Sequence, residues 1–447
     1  MQCDVMALHR ANIDCQTGHV LVLGLLMLSA ASIMFVRHHA VGQMASHRIG
    51  QTHALDAATY SAALVQARSL NTLGYMNRAQ IGHQLAMAHL VTLGSWATFG
   101  GAQASRQAIG NPPSHLITMM FGADHGAAYR AAARAAGFES MSRAQGDLAR
   151  AYAEHDATVR NVLVRVQHDI VRSVPSDREH VLRQVLHDHY PEQAPHDFQL
   201  QIQHDNWHGF LEQTPGHGTL RQMVKSVVSL YHFLDPRNHT VSNQWVVDGR
   251  CPASRHQLRR RGETRLSDSG VWQSIDTQSF HALRSNRWLG CYYREYAMGW
   301  GWIPSASTQP MNEPHTDTPP TDFSAQDFWR WVSESTNWDI KSGQDNPLAN
   351  SMAHSTKPQW KGGGLPAVFD VAAQANPKGL FFAATLKLIG PDGIPVTTRS
   401  AARTFYARPE TREDGLFEAH NLYRPYWQVN LAAHPYQGFS ASPKRAP

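Results

Sequence analysis

The chain has 447 residues, of which 42% are hydrophobic and 17% are charged. That apolar content is enough for a folded core, and it excludes a chain that is disordered throughout. A net charge of +5 tolerates an anionic neighbour such as a membrane surface without requiring one. The four cysteines form no CxxC pair, so the sequence gives no support for a zinc ribbon or a thioredoxin-like site.

An uncharged apolar run extends from Val20 to Val36 and ends at Arg37. With Gly18 and His19 it is long enough, at about 1.5 Å per residue, to cross a hydrocarbon core of about 30 Å. A single spanning segment must be helical, because lipid offers no partner for backbone amides. We therefore predict a transmembrane helix at residues 18–36, whose apolar anchor side chains are Val20, Leu21, Val22, Leu23, Leu25, Leu26, Met27, Leu28, Ile33, Met34, Phe35 and Val36.

Two other interpretations of this run stay open. A cleaved secretory signal has a shorter apolar core followed by small residues, as at Ser29 to Ser32. Against cleavage, Ile33 to Val36 continue the apolar run past these small residues. A buried core helix is the second interpretation, but the run is apolar on every face, which suits lipid better than a globular surface.

We predict that residues 1–17 are cytoplasmic and that the bulk of the chain is periplasmic, anchored by one span in the inner membrane. Arg37 and Arg48 after the run, against Arg10 before it, favour the opposite topology under the positive-inside rule. Long domains translocate largely regardless of that bias, and a cysteine pair downstream suits an oxidising compartment.

Residues 37–110 predict a helical extension, because Leu55, Ala58 and Ala62 recur at helical spacing. Glycines weaken helices, so we expect kinks or breaks along this extension. The positions concerned are Gly42, Gly50, Gly74, Gly82 and Gly94.

Residues 111–195 predict a helical hairpin. Its first helix extends from about Ala127 to Arg172 and is expected to stop at Pro175. Its second helix is expected to begin with the capping box Ser176 to Glu179 and to end at Pro191.

Residues 196–447 predict a mixed, β-containing region, which makes the whole chain α+β. A stretch rich in Pro, Thr and Ser predicts a loop or linker at residues 305–320, and Phe323 to Ser333 predicts one short helix. The clearest hairpin is predicted from Leu380 to Ile389 and from Ile394 onwards, around the turn Pro391 to Gly393. Further predicted strands are Gln244–Val247, Trp288–Tyr296, Gly299–Ile303, Arg403–Tyr406 and Tyr426–Leu431.

Several segments resemble TadG-like proteins of the tight-adherence (Tad, Flp pilus) assembly systems. Gln16 to Gly24 is similar to the start of that family, and Asp56 to Asn71 is similar to its Asp-Ala-Ala-rich helix. Ser400 to Pro409 and Asn421 to Val429 are similar to its closing region, so the resemblance covers residues 16–96 and 380–431. The positions that carry it are Gln16, Gly18, Asp56, Tyr60, Asn77, Arg78, Pro425, Tyr426 and Trp427.

The resemblance implies a single-pass envelope protein of a pilus or secretion machine. The family has no known active site, so no catalytic, cofactor-binding or metal-binding residue is implied. We expect a structural or assembly component rather than an enzyme. Its expected partners are the lipid bilayer and other machine proteins, with no nucleic acid and no small-molecule substrate.

Cys251 and Cys291 are the strongest candidates for a disulfide, because export would place both on an oxidising side. Two unpaired thiols in separate strands are the alternative. Cys3 and Cys15 are expected to stay reduced in the cytoplasm, with acylation of Cys15 as a minor alternative.

Three other groups of residues invite a functional interpretation. His204 and His208 have the spacing of a helical zinc pair but lack the general-base Glu, and we expect satisfied surface histidines. A basic run is expected to be a solvated loop, and an aromatic group is expected to pack in a sheet. The basic run is Arg255, His256, Arg259, Arg260, Arg261 and Arg265, and the aromatic group is Trp288, Tyr292, Tyr293, Tyr296, Trp300 and Trp302.

Two alternatives to an assembly component come from other functional classes. One is an exported enzyme with a cleaved signal, such as a metal hydrolase that uses some of the 27 histidines. The other is a surface adhesin or minor pilus subunit, which would be isolated within filaments.

Overall fold

The computed structural model of the protein describes residues 17–303 and 360–433, apart from residues 289, 361, 377 and 417. Within these residues the chain is a mixed helix and sheet protein, with one long apolar N-terminal helix and a β-rich C-terminal region, as predicted. Residues 1–16, the predicted loop at 305–320 and the predicted helix at 323–333 lie outside the described residues.

A single helix, α1 (Thr17–Ile109), continues without interruption for 93 residues. From residue 51 onwards, one position in every three or four is buried, which is the period of a helix that packs one face on a core. These buried positions include Gln51, Leu55, Ala58, Ala62, Gln66, Leu70, Leu73, Asn77, Gln80, Gln84, Ala88, Val91 and Ser95. The predicted extension is therefore the central element of the domain.

The helix breaks predicted at the glycines of α1 are wrong, because α1 continues through all five positions. An isolated glycine costs a helix only about 1 kcal/mol, which tertiary packing readily outweighs. At Gly94 the absence of a side chain has a positive role, because a Cβ there would lie 2.7 Å from the ring of Trp360. A Cβ at Gly74 would lie against the backbone of Arg424 at 3.5 Å.

Shorter helices follow α1 along the chain. They are α2 (Ser114–Phe121), α3 (Ala123–Ala131), α4 (Glu139–Ser142), α5 (Asp147–Thr158), α6 (Val164–His189), α7 (Trp207–Phe210) and α8 (Thr219–Val228). One π-helical turn (Val159–Leu163) joins α5 to α6, and 3₁₀ turns lie at Ala132–Ala135 and His232–Leu234.

The predicted hairpin break at Pro175 is wrong, because α6 continues through that residue. Proline lacks the amide that would bond the carbonyl four residues earlier, which is that of Val171. In the fold, the indole Nε1 of Trp207 donates to this carbonyl oxygen at 2.9 Å. The side chain of Trp207 thus replaces the hydrogen bond to the Val171 carbonyl that Pro175 cannot make, and the helix continues.

The strands form three antiparallel sheets. The first has the order β1 (Gln199–Gln203), β8 (Leu380–Ile389), β9 (Pro395–Tyr406) and β10 (Trp427–Ala432). The second pairs β2 (Leu211–Thr214) with β7 (Val368–Val371), and the third has the order β3 (His239–Ser242), β4 (Gln257–Leu266), β5 (Trp272–Asn286) and β6 (Gly290–Ile303).

The predicted hairpin near the C-terminus is confirmed by β8 and β9, which pair from Leu380 with Thr404 to Ile389 with Pro395. The predicted strand Gln244–Val247 is wrong. It lies in the loop between β3 and β4, where the side-chain amide of Asn243 donates to the carbonyl oxygen of Trp245 at 2.9 Å. A local side-chain bond of this kind competes with a strand ladder.

Three large apolar clusters pack on α1, and a further one packs α2 and α3 on the third sheet. The first two lie between α1, α6 and the first sheet, the third between α1, α5 and the third sheet, and the fourth between α2, α3 and the third sheet. Their central members are Leu55, Leu182 and Phe382; Leu73, Trp207 and Trp427; Val91, Trp272 and Trp360; and Ile117, Phe280 and Met298.

Candidate functional site

The N-terminal part of α1 presents apolar side chains that the described domain does not cover. All twelve predicted anchor residues are between 56% and 75% exposed. Among the described residues, α1 is the only helix long and apolar enough to cross a membrane by length and composition. An apolar surface this continuous is unfavourable in water. The buried-core interpretation of residues 20–36 is therefore wrong for the described fold.

A largely exposed stretch of α1, residues 37–50, connects this apolar segment to the domain. At about 1.5 Å per residue it is about 20 Å long. Because the helix has no break between residues 17 and 109, the apolar segment and the domain core share one backbone rod.

Polar side chains on the buried face of α1 bind the C-terminal sheet. Ser400 Oγ donates to Asp56 Oδ1 at 2.6 Å. The amide of Asn71 pairs with the backbone of Trp427 in both directions: Nδ2 donates to the carbonyl at 3.1 Å and Oδ1 accepts from the amide N–H at 2.9 Å. These bonds fix the register between the helix and β9–β10.

Asn77 is the most heavily bonded of these side chains and is fully buried. Its Nδ2 donates to the carbonyl oxygens of Leu422 at 2.7 Å and Phe369 at 3.0 Å. Its Oδ1 accepts from Nε2 of Gln167 at 2.6 Å. One amide thus connects α1, α6, β7 and the segment before β10.

The two regions that carry the family resemblance therefore lie against each other in space. Asp56, Asn77 and Trp427 contribute to this contact, whereas Tyr60 is 43% exposed and Arg78 is exposed. Pro425 and Tyr426 are half-buried beside it, Gly18 lies in the first turn of α1, and Gln16 lies outside the described residues.

Cys251 and Cys291 are bonded in the structure, with their Cα atoms 6.0 Å apart. The bond joins the loop between β3 and β4 to the start of β6. Closing a loop with a sequence separation of 40 residues restricts the unfolded chain, which is worth about 4 kcal/mol in the chain-entropy model.

Hydrogen bonds support the same junction. Ser285 Oγ donates to Asp248, and this bond, with the amide of Arg250, holds the pKa of the Asp248 carboxyl below its usual range. The amide of Leu283 donates to Nδ1 of His256 at 2.8 Å. Burial, followed by the nearby Arg284, lowers the pKa of His256 to about 4, so this imidazole is neutral at physiological pH.

The prediction of a solvated basic loop is wrong, because most of that run forms β4, which lies between β3 and β5. Alternate residues of such a strand point into the protein. Arg259 is 1% exposed with its guanidinium over the ring of Tyr293, and Arg260 lies over Phe99 at 4.8 Å. Arg259 and Arg260 therefore pack on aromatic rings, whereas Arg265 is exposed beside Glu263.

The predicted aromatic group divides into packed and exposed members. Tyr293 and Trp302 are buried, Tyr296 stacks on Phe280, and Trp300 lies beneath Arg106 at 4.9 Å. Trp288 instead is 88% exposed at the turn between β5 and β6. The side chain of Tyr292 is outside the described part.

Arg237 and Asp276 form an ion pair within the domain that no pattern in the sequence predicts. Asp276, fully buried on β5, accepts two hydrogen bonds from Arg237 at 2.8 and 2.9 Å and one from Ser95 Oγ of α1 at 2.7 Å. Both carboxylate oxygens are therefore occupied, which suits a structural role. No spacing in the sequence links positions 95, 237 and 276.

Histidines of the described residues do not assemble into a metal site. His204 and His208 are exposed, and only the four residues Trp207–Phe210 are helical there, so the zinc-pair geometry does not form. His83 and His155 do meet, with their Nδ1 atoms 2.8 Å apart. In residues 17–303 and 360–433, as described, no three His, Cys, Asp or Glu side chains lie close enough to hold a metal ion.

Replacing Asn77 by Ala should lower the free energy of unfolding by about 2–3 kcal/mol, because buried polar groups lose their partners. The neighbouring substitution Arg78→Ala is the matched control, since Arg78 is exposed. Denaturant unfolding of both purified variants measures the difference. Equal midpoints for the two variants would contradict the proposed role of the Asn77 bonds.

Acidification from pH 6.5 towards pH 4 should destabilise the fold through His256. In that window the unfolded state binds a proton at this imidazole and the native state does not, so stability falls as pH falls. The full effect of lowering the pKa from 6.5 to about 4 is about 3 kcal/mol. His256→Asn should show a smaller loss between pH 7 and pH 4 in denaturant titrations, whereas the same change at exposed His208 should not. An unchanged pH slope in His256→Asn would count against this assignment.

Comparisons with known proteins return no counterpart. No protein-family model, no curated protein and no solved structure matches the chain.

Proposed function

We propose that the protein is a membrane-anchored structural or assembly component of a Flp/Tad-type pilus or secretion apparatus, without catalytic activity of its own. The observation that carries this proposal is the continuity of α1, in which an exposed apolar segment becomes the core helix of a folded domain. In this arrangement the chain is held in the inner membrane by residues 20–36, and the domain faces the periplasm.

The proposed mechanism is mechanical and associative. A helix of about 19 apolar residues matches the hydrocarbon thickness of a bilayer. Small residues within the segment, such as Gly24 and Ala31, permit close contact with other helices in lipid. The unbroken rod then sets the height and direction of the domain relative to the bilayer, and the outer surface of the domain is available to other machine proteins.

The assignment to a Tad-type machine rests on the family resemblance of residues 16–96 and 380–431. Its support from the fold is that these two distant regions form one packed unit through Asp56, Asn71 and Asn77. A structural role explains why these polar side chains bond to backbone and hydroxyl groups instead of facing a cleft.

The alternatives differ in what they require. A metal hydrolase needs several ligating side chains around one point, and the described residues bring no such set together. A surface adhesin or minor pilus subunit uses the same anchor before release into a filament, so recovery of the protein within purified filaments would favour that assignment over a permanent membrane component.

Arginines introduced into the apolar segment should abolish anchoring. Leu23→Arg with Leu26→Arg adds about 3 kcal/mol per residue to the cost of insertion. The control is Val41→Arg with Ile49→Arg, since both residues are exposed on α1 beyond the segment. Wild type and control should pellet with membranes and require detergent for release, and the test variant should not. Intact wild-type protein in a detergent-free supernatant would overturn the proposal.

Export of the domain should leave Cys251 and Cys291 oxidised in cells and Cys3 and Cys15 reduced. Acid-quenched, denatured extracts are treated with a mass-tagged maleimide before and after reduction. Two tags should attach without reductant and four with it. Four tags without reductant would place the domain in the cytoplasm, and reporter fusions before Val20 and after Pro447 would then show the reversed topology.

A further inference from the structure

The disulfide joins two surface segments, residues 243–251 and residues 284–288 with 290–291, which we call the distal tip. Its position follows from the packing of β6 on α1. A Cβ at Gly299 would contact Gln103, and one at Gly94 would contact Ile303. As residue numbers increase along α1 they therefore decrease along β6, so β6 begins near the C-terminal end of α1, at the opposite pole from the apolar segment.

The distal tip exposes large apolar side chains on both of its segments. Trp288 is 88% exposed, and Trp245 and Val246 are 45% and 49% exposed. These side chains do not fill a core, and the disulfide with the Asp248 hydrogen bonds holds both segments in place beneath them. Exposed apolar side chains on two cross-linked segments are typical of a preformed binding surface.

The charge of the distal tip is positive. Its two segments contain Arg250, Arg284 and Arg287 against a single acidic residue, Asp248. All three arginines are exposed, and the Arg250 side chain is 69% exposed although it lies 3.5 Å from Asp248. Asp248 is also bonded to Ser285, so its charge is held at the junction between the segments and the outer face remains cationic.

We propose that the distal tip docks on an anionic lipid surface, separate from the bilayer that holds residues 20–36. Exposed tryptophans beside aliphatic groups suit the boundary between headgroups and acyl chains, and flanking arginines attract anionic headgroups. A protein groove or enzyme-like cleft would enclose such side chains, whereas here they project from a turn and a loop.

Because α1 is long, the lipid surface that the distal tip contacts must belong to a different membrane from the one that holds residues 20–36. From Val36 to Ile109 the unbroken helix spans about 110 Å at 1.5 Å per residue. A helix that crosses the bilayer near its normal carries the distal tip that far away, so the tip cannot return to the same leaflet. The bridging of two membranes rests on the proposed anchoring function, whereas the lipid affinity of the tip does not.

The test places full-length protein in phosphatidylcholine nanodiscs and measures capture of separate vesicles by flotation. Vesicles rich in phosphatidylglycerol should be captured, and pure phosphatidylcholine vesicles should be captured far less. Trp245→Ala with Trp288→Ala should abolish capture, and Arg250→Gln with Arg287→Gln should weaken it by about fivefold per arginine. Added salt should weaken capture by the wild type.

The matched controls are Leu230→Ala, which removes an apolar side chain that is 75% exposed elsewhere, and Arg150→Gln with Arg172→Gln. All controls should capture vesicles like the wild type, and thermal unfolding verifies that every variant is folded. Absence of capture by the wild type, equal capture of both vesicle types, or capture unaffected by the tip variants would each overturn the proposal. Retention of the chain in nanodiscs is measured first, so a failure of anchoring is distinguished from a failure of docking.

Discussion

One backbone helix in this protein combines an uncovered apolar stretch with the central face of a folded core. None of the described residues covers its first apolar stretch, while the turns from residue 51 to residue 95 bury a face every three or four residues. A helix can do both because its backbone hydrogen bonds are internal, so only the side chains have to match the surroundings. Both large sheets depend on this helix for their position, since the three largest apolar clusters pack on it.

The buried face of the rod is unusual in carrying glutamine and asparagine among its alanines and leucines. These amides bond to strand backbone, as Gln51 does with the carbonyls of Leu386 and Val396 at 3.2 and 3.1 Å. Apolar contact alone leaves a helix free to slide or rotate on a sheet, whereas hydrogen bonds are directional and fix one register. Under the proposed anchoring function, a fixed register would hold the domain in one position relative to the apolar segment.

The two ends of the molecule expose apolar side chains in different surroundings. At the N-terminal pole the apolar segment is a bare helix without charge, which suits the interior of a bilayer. At the distal tip, tryptophans are combined with arginines on a disulfide-bonded support, which suits an anionic surface rather than its interior. Under the two proposals above, these two apolar regions would contact two different lipid surfaces.

The sequence by itself determined the features that depend on local composition. Residues 20–36 are apolar on all faces, and the turn Pro391 to Gly393 between β-prone runs specifies the hairpin of β8 and β9. Tertiary structure decided what depends on distant partners: Pro175 stays in a helix because Trp207 bonds the carbonyl it leaves free, and Asp276 is buried because Arg237 and Ser95 meet it. Such contacts join residues far apart in the chain, and neither periodicity nor residue spacing records them.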